Sequence, residues 1–123
     1  MRSAAVVLWA VLAVGAPAWL ARAQGTTLQL DAPAGCSSPA AVETEIRRLV
    51  GVTGDLVVPG ARAITVTIAA EGEGYRLELR SEADDGTDGG TRTLADPSCT
   101  ALAEAAALIV AMMIDPDAAL LSA

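Results

Sequence analysis

An uncharged apolar run from Ala4 to Leu20 stands just behind Arg2 and closes on Ala21-Arg22-Ala23, the small-x-small pattern a signal peptidase reads. Read as a signal peptide over residues 1–23, cleaved after Ala23, this segment decides how much chain is left to fold and in which compartment. The mature protein then begins at Gln24, is periplasmic or secreted, and keeps about 100 residues, enough for one core and no more. Two other readings of the leader are weaker. As a retained membrane anchor it is interrupted by Gly15 and Pro17 and sits at the short limit for spanning. As a lipoprotein signal, Pro33-Ala34-Gly35-Cys36 has proline where an aliphatic residue is needed, and Asp31 parts it from the apolar run. No stable membrane insertion is expected after cleavage.

Cleavage also strips the chain of aromatics. Trp9 and Trp19 leave with the leader, and Tyr75 is the only aromatic side chain that stays. The core must come from Leu, Ile, Val, Ala and Met, which bury less area each than aromatic residues do. Arg2 and Arg22 leave too, so eight basic residues fall to six against fifteen acids, a mature net charge of −9. A chain that negative repels phosphate backbones and anionic lipid, so nucleic-acid partners are excluded.

The mature sequence divides into short periodic segments. Thr26 to Asp31 alternates, with Leu28 and Leu30 on one side, and predicts a strand. Ser38 and Pro39 then start a helix over Pro39 to Val50, with Val42, Ile46, Leu49 and Val50 as one apolar stripe, and Gly51 stops it. Leu56-Val57-Val58 suggests a short edge strand inside a turn-rich connector. Ile64, Val66, Ile68 and Ala70 share one face of a clear strand, which turns at Glu71-Gly72-Glu73-Gly74 into a second carrying Tyr75, Leu77 and Leu79. Residues 83–90 read as a flexible acidic loop, and Thr91 to Ala95 as a short third strand of a meander. Asp96 and Pro97 are expected to open a second helix ending near Ile114, with Cys99, Leu102, Ala106, Ile109 and Met113 as its densest stripe.

The order strand, helix, three strands, helix predicts an α+β two-layer sandwich, in which a small, mostly antiparallel sheet has both helices on one face. Residues 24–117 form that single domain, and 118–123 a short apolar tail.

Cys36 lies just before the first helix and Cys99 in the first turn of the second. With both helices on one face and running alongside, their N-termini are neighbours. An exported chain with two cysteines makes a structural disulfide the expected reading. A redox pair is the competing one, but redox enzymes usually carry such cysteines as Cys-x-x-Cys, with two residues between them.

The repertoire excludes much chemistry. With no histidine, Ser-His-Asp and Cys-His nucleophiles and imidazole-ligated zinc are absent, and with no lysine so is Schiff-base chemistry. No cofactor and no catalytic residue is expected. Paired carboxylates stay open as a carboxylate-based accessory enzyme, and Asp84, Asp85 and Asp88 as a weak calcium site. Counted as an EF-hand from Asp84, that loop puts Gly86 at the third position and Ala95 where a bidentate glutamate belongs.

From Ala101 to Ile114 only Glu104 is polar. The surplus is either buried under the first helix and the tail, or it is a partner surface; Met112, Met113, Leu120 and Leu121 are its candidates. The segment Ser98-Cys99, Ala107-Leu108-Ile109-Val110 and Asp115-Pro116 resembles a loosely defined set of uncharacterised exported bacterial envelope domains, over roughly residues 26 to 117. These have an early cysteine, a β-hairpin and a late Ser-Cys leading an alanine-rich helix that ends in Asp-Pro. The resemblance implies an N-terminal envelope module, often followed by a proline-rich linker. This chain stops at Ala123, as a stand-alone version or as the front of a longer product. The expected function is non-catalytic binding, with an unknown envelope protein as partner or by self-association.

Overall fold

A computed structural model describes residues 25–118; the leader, Leu120 and Leu121 lie outside the described residues. A four-stranded mixed sheet of order β1-β2-β3-β4 is built from Thr27–Asp31, Ala61–Glu71, Gly74–Ala83 and Asp88–Asp96. Helix α1, Pro39–Val50, follows β1, and helix α2, Cys99–Ile114, follows β4. Strand β1 pairs parallel with β2, Leu28 opposite Ile64 and Leu30 opposite Val66, while β2–β3 and β3–β4 are antiparallel. The fold is therefore the α+β sandwich expected from the element order. Each helix runs back against the strand before it, so α1 and α2 point the same way.

Period two makes the sheet one-sided. Ile64, Val66 and Ile68 of β2 and Leu77 and Leu79 of β3 face the helices and are buried. Across the other face run Thr65 and Thr67, then Arg80 and Glu78, then Thr91 and Thr93, all solvated or half-solvated. At the β2–β3 turn Gly72 holds φ of 61°, and no non-glycine among the described residues has positive φ. That combination is the type II′ hairpin turn, whose twist matches that of its strands.

Helix α1 matches its prediction residue for residue. The Ser38 side chain accepts from the Ala41 N–H at 3.1 Å, Pro39 occupies the first turn, and Gly51 ends the helix in the left-handed region. Val42, Ile46 and Leu49 are buried, and Val50 is half-buried against the same core.

Helix α2 departs from expectation at two points. Its N-cap is Ser98, which accepts from the Ala101 N–H at 3.1 Å, and its first residue is Cys99. Asp96 cannot cap it, because it is still in β4, paired with Tyr75; its carboxylate instead accepts from the Ser98 N–H at 2.8 Å. The buried stripe is Leu102, Ala103, Ala106, Ala107, Val110 and Ala111, with Ile109 and Met113 only partly covered. Alanines carry the contact because a short side chain lets the helix axis approach its neighbours, whereas the larger residues flank it.

Two loop expectations also change. Residues 83–90 are half strand: β3 runs to Ala83, β4 starts at Asp88, and a tight turn over 84–87 joins them. Asp85 closes that turn by accepting from both the Thr87 N–H (3.0 Å) and the Thr87 hydroxyl (2.6 Å). Leu56-Val57-Val58 forms no strand, although Leu56 and Val58 are buried and Val57 is 55% exposed. Thr26 pins this extended segment: its N–H donates to the Leu56 carbonyl, its Oγ1 accepts from the Val58 N–H and donates to the Ala61 carbonyl. Ala118, expected to begin the apolar tail, is fully buried in the core.

Candidate functional site

The Cys36–Cys99 disulfide joins the two helix N-termini, with a Cα–Cα distance of 5.7 Å. The bond spans 63 residues of sequence and so ties the β1–α1 connection to the start of α2. No cysteine among the described residues is free, which is compatible with an oxidising compartment. Parallel helices joined at one end leave a furrow along their outer surfaces.

That furrow is a groove of about 400 Å³. Ala41, Val42 and Leu49 of α1 and Ala103, Ala107 and Leu108 of α2 form its apolar lining. Ser37, Glu45, Arg48 and Glu104 supply the polar edge. Arg48 reaches back to Glu45 through two guanidinium nitrogens, Nε donating to Oε2 at 2.9 Å and Nη2 to Oε1. These hydrogen bonds hold the Glu45 carboxyl below its ordinary range and raise Arg48. Both groups are solvated, so the pair orients the rim more than it stabilises the fold. Among the described residues Glu104 is in no ion pair, so the groove carries one uncompensated negative charge.

Of the predicted partner residues, Met112 and Met113 are described, and they do not share one packing environment. Met113 packs against the core and lines a smaller hollow of about 290 Å³ with Val58, Pro59, Ala61, Ser81 and Ala83. Met112 is half-buried and turned away from that packing, since neighbours on a helix point about 100° apart. Neither lies in the groove. The groove residues Ala103, Ala107 and Leu108 fall outside the sequence-predicted site; facing small side chains on two disulfide-joined parallel helices were the signal for them.

Asp84, Asp85 and Asp88 all sit at the β3–β4 turn, but among the described residues no three acidic or cysteine side chains gather at metal-binding distances. Asp85 and Asp88 each accept from turn backbone, Asp88 from the Gly90 N–H at 2.9 Å. The Thr87 hydrogen bonds hold the Asp85 carboxyl low, and Arg62, 2.7 Å from Glu82, lowers Glu82 in the same way. A carboxylic general acid needs the opposite shift, upward by burial. No charged or polar side chain is buried among the described residues. No helix of the described residues is long and apolar enough to cross a membrane.

Compared with protein-family models and with curated proteins, the chain matches none.

Proposed function

We propose that this chain is an exported, non-catalytic binding module of the bacterial cell envelope, whose interhelical groove takes a protein segment bearing aliphatic side chains beside a basic one. The observation that carries the reading is the groove itself, with alanine and leucine along its length and Glu104 unpaired at its edge. An aliphatic side chain gains roughly 25 cal/mol for each Å² it loses from water there, and a lysine or arginine next to it meets Glu104. The net charge of the chain steers the same kind of partner. Export supports the envelope setting: the leader at residues 1–23 is read as cleaved after Ala23, and the disulfide needs an oxidising space. The resemblance of the Ser98-Cys99 helix to exported envelope domains points the same way.

Site-specific photo-crosslinking in the envelope tests the groove. A photoreactive residue at Leu108 should trap one discrete protein, whereas the same residue at Thr65, on the solvated sheet face, should not. Glu104→Arg should reduce the Leu108 adduct several-fold. Equal adducts from both positions, or an adduct indifferent to Glu104→Arg, would overturn this reading.

A further inference from the structure

Strand β4 ends the sheet with a free edge nine residues long. Natural edges of that length are usually blunted by proline, by lysine or by a covering segment. β4 has no proline or lysine between Asp88 and Asp96, no other described segment covers it, its one register shift lies at its start opposite Ser81 and Glu82, and all its residues except Asp96 are exposed. Its helix-side positions are Arg92, Leu94 and Asp96, opposite Leu79, Leu77 and Tyr75. Leu77 is fully buried, yet its cross-strand neighbour Leu94 is 38% exposed. Arg92 is the one arginine among the described residues outside any ion pair; Arg47, Arg48, Arg62, Arg76 and Arg80 are all paired.

We propose that β4 is a self-association edge: two copies of this chain pair their β4 strands antiparallel about a two-fold axis at Leu94, joining their sheets into one. The residue pattern selects both the occupant and the register. With the axis at Leu94, each Leu94 meets its counterpart, and each Arg92 meets Asp96 of the other copy on either side. Thr93 then faces Ala95 on the opposite surface of the sheet. An axis at Arg92 would set the two guanidinium groups against each other, and an axis at Thr93 would set arginine against leucine. Opposite charges directly across a strand pair stabilise and like charges oppose it, so only the Leu94 register satisfies the charges. Asp96 gives one carboxylate oxygen to the Ser98 N–H and keeps the other for Arg92. Pro97, with no N–H, ends the shared ladder just beyond Asp96.

The test is the mass in solution of the oxidised chain, by sedimentation equilibrium from low to high micromolar concentration. The wild type should dimerise as concentration rises. Arg92→Asp and Asp96→Arg should each weaken dimerisation by roughly tenfold or more, because each sets like charges across the axis. Mixed together, those two variants should form a heterodimer, since every facing pair is again of opposite sign. Leu94→Asp should stay folded by circular dichroism, as its side chain is partly exposed already, and remain monomeric. A wild type that is monomeric throughout overturns the proposal. So does dimerisation that both single-charge variants retain, which would put the contact elsewhere. Glu104→Arg should leave dimerisation unchanged, which separates this result from the fate of the groove.

Discussion

Replacing both cysteines by serine should lower the melting temperature by about 16 °C. The loop closed by Cys36–Cys99 spans 63 residues, and in the chain-entropy model opening it frees the unfolded chain by about 4 kcal/mol. Whole domains of this size have only about 5–15 kcal/mol of net stability, so the bond is a large part of the total. Each kcal/mol moves the midpoint of a 60–100-residue domain by roughly 4–8 °C, and the lower slope gives the figure above. The assay is thermal and urea unfolding, followed by circular dichroism, of three samples: oxidised wild type, wild type reduced with dithiothreitol, and Cys36→Ser/Cys99→Ser. The reduced and serine samples should melt close together, because both open the same loop. Their urea m-value should exceed that of the oxidised protein, as an unlinked denatured chain exposes more surface. A midpoint falling by less than about 5 °C, with m unchanged, would refute the reasoning: the bond would then hold together ends that the core already keeps in place.

Ser98→Ala should cost about 1 kcal/mol through loss of the α2 N-cap, measured as a urea midpoint shift, whereas Pro97→Ala should move it far less; the reverse ranking would return the cap to Asp96. Ala106 is fully buried at the centre of the α2 contact, so Ala106→Leu should destabilise by about 1–3 kcal/mol through overpacking, and a stabilised variant would mean that the helix has room beneath it. The Asp85 carboxyl is lowered in the folded state by its Thr87 hydrogen bonds. Its contribution is therefore present above the ordinary carboxylate range and lost as pH falls through the folded value. Thr87→Val should move the Asp85 titration, followed by carboxyl carbon NMR, back up toward the ordinary carboxylate range; an unmoved titration would assign the shift elsewhere.

Elements whose register is written in period and caps were legible from sequence. Ser38-Pro39 at one end and Gly51 at the other bracket α1, and the alternation from Ile64 to Leu79 locates the central hairpin. The proximity of the two helix N-termini, and with it the disulfide, followed from placing both helices on one face. What failed did so for physical reasons. Hydrophobicity ranks Ile109 and Met113 above Ala103 and Ala107, but close helix packing selects for size, so the buried stripe of α2 keeps Leu102 and Ala106 and is otherwise rotated from the predicted one. The acidic run at 83–90 looks like a flexible loop by composition, and it is exposed, yet Asp85 folds it into a turn through hydrogen bonds that charge counting does not see. The parallel pairing of β1 with β2 has no signature in an alternating strand, which reveals its buried face and not its neighbour. The groove is hidden for the same reason as the stripe, because two of the three apolar residues α2 gives it, Ala103 and Ala107, are alanines.

The two proposed contact surfaces sit on opposite flanks of α2, and that arrangement has a consequence. Helix α1 packs over β1 and α2 over β2, β3 and β4, so the groove lies on the α1 side of α2 and the free edge on the far side. A dimer formed through β4 would cover neither groove, and its two-fold axis would carry the grooves outward on the two flanks of the joined sheet. Occupying one surface leaves the other open, so ligand binding and self-association are not competitors. Weak binding in a single groove then becomes bivalent whenever a partner offers two copies of its segment, and linked sites of this kind can raise overall affinity by about 10²–10⁴-fold without any new contact. A thin aliphatic core stapled by one disulfide suits that use, since neither surface is needed to complete it: Ile46, Ile64, Leu77 and Val110 are sealed inside a single copy.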